Sequence, residues 1–198
     1  MLAACLNQAA RRGGLHVFRV FHRRLGAAAA PPPAPGLQCR RLSGEELIAL
    51  CRDRALELRR TMVEEALARG DACVGAFLGG RLAGYAWFAY EQAPHVNGVR
   101  VQVPARAIYR FKVFVPPACR GRGIAPFLFA AADAIVARPG RESVVNCIAL
   151  QNGASIAAAL KSGDAAFGHL AYWQGRGRFF ALHSRSVAAL GLRFYRAS

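Results

Sequence analysis

Apolar and polar positions along this chain group into short, legible runs. Leu37–Arg41 reads as a strand, and Ser43-Gly44-Glu45-Glu46 behind it is a capping box, with Ser43 as N-cap and Glu46 at the third helical position. Apolar residues at 47, 48 and 50, then at 55, 56, 58, 62, 63 and 67, follow helical spacing. They predict one or two amphipathic helices, ended by Gly70-Asp71. Ala72–Leu78 and Arg81–Tyr90 are apolar runs around Gly79-Gly80, the signature of a hairpin. Residues 91–106 contain Pro94, Asn97, Gly98 and Pro104 and read as a long loop. A strand over 107–115, a helix over 124–137, a strand over 143–149 and a helix over 153–162 come next. Two strands near 165–173 and 178–184 close the pattern. The order βααβββαβαββ predicts one α+β (mixed α/β) domain.

The first 36 residues stand apart. Arg11, Arg12, Arg19, Arg23 and Arg24 occur there without an acid, and Ala27–Ala30 then runs into Pro31-Pro32-Pro33-Ala34-Pro35. The Ala/Pro stretch reads as an extended linker. Leu2–Leu6 is too short for the apolar region of a secretory signal, and the charges follow it instead of preceding it. An organelle presequence fits the arginines but not the lack of serine. Leu15–Phe21 alternates partly, as a short strand or a membrane-surface segment would. The division expected is therefore a basic arm and linker over 1–36, a folded domain over 37–185 and a tail over 186–198.

The chemistry concentrates at Arg120-Gly121-Arg122-Gly123-Ile124-Ala125, between the expected strand 107–115 and the expected helix. Strand, glycine turn and helix start suit a pyrophosphate: glycines admit close approach, helix N–H groups donate, and two arginines add charge. No Gly-Lys-Ser/Thr follows, so this is not a Walker loop. Pro126 stands where a dinucleotide fingerprint needs its third glycine. The turn does match Arg-x-x-Gly-x-Ala. About thirty residues on, Val144–Leu150 reads as a strand followed by Asn152, Ser155, Ile156, Lys161 and Gly163. In motif, order and spacing the chain resembles the GNAT superfamily of acetyl-CoA-dependent N-acetyltransferases.

That resemblance implies a central twisted mixed sheet, splayed between strands four and five, with helices on both faces. It implies coenzyme A, as acetyl-CoA, held by the backbone of Arg120, Gly121, Arg122, Gly123, Ile124 and Ala125. The edge of strand four at Phe114 and Val115 would pair with the pantetheine arm, and the Val115 N–H would face the thioester carbonyl. Asn152 and Ser155 would touch the arm; Asn152 also reads as an Asx cap of the next helix. The catalytic set departs from the family. A glutamate of the histone-acetylating branch is replaced by Tyr109, whose ordinary pKa of about 10 makes a poor base. His95 and Glu91, on the loop that borders the acceptor pocket in this fold, are the remaining candidates; His95 titrates in the useful range and Glu91 would act through water. The family's tyrosine seven residues after the asparagine is Ala159 here, and its Gly-Phe is Gly163-Asp164. Thiolate protonation then falls to water, Tyr109 or Tyr172.

Composition narrows the partners. The chain has 198 residues, 54% hydrophobic, enough for one domain with a full core. Its net charge is +16, carried almost wholly by arginine, with Lys112 and Lys161 as the only lysines. A GC-rich genome explains arginine over lysine but not base over acid. The excess disfavours a polycationic acceptor such as a histone tail and suits a small or anionic amine. It leaves two alternatives open: an acyltransferase served by acyl carrier protein, or a non-catalytic acyl-CoA-binding module on nucleic acid or membrane. The basic arm would meet an acidic protein or anionic surface, and a homodimer is compatible. The six cysteines show no metal spacing and read as reduced thiols of a cytoplasmic protein; no metal is expected. No run of eighteen apolar residues would span a membrane.

Overall fold

A computed structural model describes residues 13–27 and 35–196. The expected linker over 27–35 and the first twelve residues of the expected arm lie largely outside the described residues. The main sheet has eight strands in the order β10-β9-β1-β8-β7-β4-β3-β2. These are β1 (Leu15–Arg24), β2 (Leu37–Arg41), β3 (Ala72–Leu78), β4 (Arg81–Ala89), β7 (Ala107–Phe114), β8 (Ser143–Ala149), β9 (Ala165–Gly175) and β10 (Arg178–His183). Every neighbouring pair is antiparallel except β7 and β8.

Helices lie on both faces. α1 (Gly44–Leu50) begins in the expected capping box, Ser43 accepting from the Glu46 N–H and Glu46 accepting from the Ser43 N–H. With α2 (Arg60–Ala68) it covers Tyr85 and Trp87 of β4. On the other face α3 (Ile124–Val136) packs Leu128, Ala132 and Val136 against Ala86, Phe88 and Ile108. The alternation of β4, with Tyr85 and Trp87 to one side and Ala86 and Phe88 to the other, makes it a strand buried on both faces. α4 (Gly153–Lys161) continues the α3 layer over Phe21 and Ile148.

Three segments differ from expectation. Leu15–Arg24 is not part of an arm: as β1 it pairs with β8 on one side and β9 on the other. Phe18 and Val20 point into the core beneath Tyr109, Val145 and Tyr172, while Phe21 points to α4. A strand buried on both faces belongs to the domain, so the boundary expected at Gly36 does not hold for these residues. Residues 91–106 are not a plain loop. They form β5 (Gln92–Pro94) and β6 (Val99–Gln102), joined to β11 (Arg193–Arg196) in a second sheet of order β11-β6-β5. The expected tail over 186–198 contains that β11 and α5 (Arg185–Leu190), whose Val187, with Leu192 and Phe194, completes the core under the small sheet. Aromatic and aliphatic residues spaced for burial made these segments structured.

Candidate functional site

The sheet opens where the sequence places its glycine turn. β7 and β8 pair only through Ala107–Tyr109 against Ser143–Val145. Beyond that point β7 keeps its partner β4 and β8 keeps its partner β1, so the two parallel strands part. A register shift opposite Trp87 and Phe88 leaves Phe111 as an extra residue in β7. Such a bulge bends a strand, and this one lies just after the parting.

The opening is a cleft of about 540 Å³ between β7, the start of α3 and the facing side of α4. Phe114, Val115, Arg120, Gly121, Gly123, Ile124, Ala125, Asn152 and Ser155 line it. Arg122 lies exposed within the same turn. The structure therefore brings the expected cofactor set together. Gly121 (φ 78°) and Gly123 (φ 70°) are both left-handed, a conformation that disfavours any side chain. A Cβ on either would meet nothing within 4 Å, so the turn presents bare backbone to open space. Gly123 is the N-cap of α3, and no side chain caps that helix. Its first N–H groups and positive dipole end are left for a ligand. Arg120 is anchored by its Nε, which donates to the Val115 carbonyl at 3.1 Å, tying the turn back to the end of β7.

The opposite wall is α4. Asn152 is its N-cap, with the side-chain oxygen accepting from the Ser155 N–H at 3.1 Å, as the Asx reading requires. Ala154, Ala158 and Lys161 follow on the same helix face and also line the cleft, with Phe129 of α3 across from them. Lys161 and Phe129 were not among the expected cofactor residues. The signal for Lys161 was present in the helical spacing of 154, 158 and 161, which puts it on the face that carries the alanines. Gly84 was missed as well: a Cβ there would stand 3.1 Å from the Phe114 carbonyl and 3.2 Å from Ile124, so a side chain would crowd the end of β7 and the start of α3.

None of the three expected catalytic residues lines the cleft. Tyr109 is the last residue of β7 paired to β8, five residues and about 17 Å of strand before Phe114. It is 1% exposed, and burial pushes its phenol well above the ordinary value, followed by the neighbouring Cys147. The His95 ring packs against Phe194 at 4.7 Å, Phe18 at 4.9 Å and Tyr172 at 5.8 Å. Burial first, and the charge of His16 second, push its pKa down to about 4. The expectation that His95 titrates near neutrality is corrected accordingly: its environment is apolar, not a solvated loop. Glu91 is exposed, and its backbone carbonyl accepts from Val103 N–H at 2.8 Å.

The sequence pattern described as the acetyltransferase (GNAT) family matches residues 40–163, more than half of the chain. The chain belongs to the GNAT acetyltransferase family. Its mixed sheet parts between β7 and β8 and carries β1 between β8 and β9. Similar solved structures include a tandem GNAT protein from the clavulanic acid biosynthesis pathway, 19% identical with a TM-score of 0.55 over 88% of this chain and 57% of that one. A protein of unknown function from Staphylococcus epidermidis is 10% identical, with a TM-score of 0.54 over 83% of this chain and 64% of the other. A GNAT-family protein from Novosphingobium aromaticivorans is 19% identical, with a TM-score of 0.50 over 80% and 65%. At these identities the likeness is one of fold. The chain spans little more than half the length of the first of these structures. No curated protein matches it.

Proposed function

We propose that the chain is an acyltransferase that moves an acetyl or related acyl group from coenzyme A to the primary amine of a small or anionic acceptor by direct attack. The observation that carries this reading is the cleft between β7 and β8, closed at one end by bare backbone and an uncapped helix start. The donor set fits the cofactor. Gly121 and Gly123 admit phosphate oxygens, Arg120, Arg122 and Lys161 supply positive charge around the turn, and Phe129, Ala154 and Ala158 give an apolar channel for the pantetheine arm. When bound, acyl-CoA supplies an activated thioester carbonyl.

The chain's own residues then bind and orient. Phe114 is paired to Tyr85 on one edge, which leaves the opposite edge of β7 free to align an extended amide-bearing ligand. The Val115 N–H is the donor assigned to the thioester oxygen. An acyl-CoA seated between these walls would displace water from its carbonyl, so each hydrogen bond there would count for more than in bulk solvent. The amine proton is assigned to solvent, because His95 and Tyr109 are buried with pKa values moved away from neutrality and Glu91 lies outside the cleft.

Acetyl-CoA tests the reading. It should raise the melting temperature of the protein, because a ligand of the folded state alone stabilises it. Gly123→Asp places bulk and negative charge at the phosphate position and strains a left-handed residue. It should remove the CoA-dependent shift while the unliganded protein still melts cooperatively. A full CoA shift in that variant would disprove the phosphate site.

A further inference from the structure

Behind the cleft lies a buried charge network that the reaction does not use. Arg23 of β1 donates from Nε to Asp164 Oδ1 at 2.8 Å and from Nη2 to Asp133 Oδ1 at 2.9 Å, with Nη1 on Asp133 Oδ2. The same Nη2 reaches the Phe129 carbonyl at 3.2 Å. Arg110 of β7 pairs with the other oxygen of Asp164 and lies over the Phe129 ring, 3.6 Å from its centre. All four charged side chains are 7% exposed or less.

The placement of these groups matters more than their energy. Asp133 and Phe129 are on α3, the helix whose start faces the phosphates, and Phe129 lines the cleft. Asp164 follows α4, the opposite wall, three residues after the cleft-lining Lys161. One guanidinium, carried on a strand outside the family pattern matched at 40–163, therefore holds both walls at once. Its fork is rigid and planar, which fixes the two carboxylates in direction as well as distance. We propose that Arg23 is a positioning residue that sets the spacing of the two cleft walls, so that β1 governs the affinity of the cofactor cleft. This rests on the acyl-CoA reading of that cleft.

Removing Arg23 alone would strand buried carboxylates and risk unfolding. Arg23→Met with Asp133→Asn avoids this: it leaves Arg110 and Asp164 as a balanced pair and keeps an oxygen for the Gly26 N–H, which donates to Asp133 at 3.2 Å. Two measurements on this double variant decide the matter. Calorimetric titration with CoA should show a dissociation constant raised on the order of tenfold. Amide exchange of the unliganded protein should be faster in both α3 and α4. Arg23→Lys, which keeps the charge but not the fork, should recover part of the affinity. Asp71→Asn, which weakens the part-buried pair with Arg69 away from the cleft, is the control for loss of an ion pair as such and should leave CoA affinity unchanged. Unaltered affinity and unaltered exchange in the double variant would overturn the proposal; if that variant fails to fold, unaltered values in Arg23→Lys would do so. Absence of CoA binding by the wild-type protein would instead sink the acyl-CoA reading, and the exchange comparison would still report on the tie between the walls.

Discussion

Burial sets the chemistry of His95. Its ring is enclosed by Phe18, Tyr172 and Phe194, its Nε2 is buried without a hydrogen-bond partner, and loss of water holds its pKa at about 4. The unfolded chain would titrate this group near 6.5. Below that pH the unfolded state binds the proton and the folded state resists it, so stability present above about pH 6.5 is lost as pH falls toward 4. At pH 5 the loss is about 2 kcal/mol. His95→Phe keeps an aromatic ring in place and removes the titration. Urea unfolding of wild type should weaken between pH 7.5 and 5 by about that amount more than in His95→Phe. The pH–rate profile, once an acceptor is in hand, should be the same for both. An equal fall in stability for the two proteins would contradict the burial argument, and a shifted rate profile would restore His95 as a base.

At the scale of elements, β1 decides whether the domain is complete. It fills the position between β8 and β9, and without it both strands would expose a row of backbone groups and the core under Tyr109 and Tyr172 would open. A chain beginning at Gly36 should therefore lose cooperative unfolding and aggregate; a soluble product with a sharp melting transition would show that β1 is dispensable. The alternation of Leu15–Phe21 hinted at a strand, but its place inside the domain was not legible locally. Its arginines and the Ala/Pro stretch after it look like an arm, and the partners that neutralise Arg23 lie 110 and 141 residues away. The small sheet was hidden for the same reason, since β6 finds its partner β11 only at residues 193–196. The glycine turn was legible because strand, glycines and helix start are contiguous, and each constrains the next by local sterics. The acceptor side was not, because it depends on which faces tertiary packing leaves open.

For the whole molecule, the net charge of +16 acts over distances that no single contact spans. Arg120 and Arg122 lie in the turn and Lys161 lines the cleft beside it, and the net positive charge of the chain adds to their field. An anionic cofactor such as the proposed acyl-CoA would be drawn in by that field. Most of these groups are exposed, so salt should screen the attraction, the Debye length falling from about 10 Å at 0.1 M to about 3 Å at 1 M. The channel proposed for pantetheine is different: Phe129, Ala154 and Ala158 line it, and its contacts would carry little net charge. Titrations of CoA and of a phosphate-free pantetheine thioester at increasing sodium chloride should therefore diverge. CoA affinity should fall on the order of tenfold over that range, while the weaker thioester binding should stay nearly flat. Parallel salt responses would show that the charge around the turn does not act on the phosphates, and that the basic surface of this protein serves some other partner.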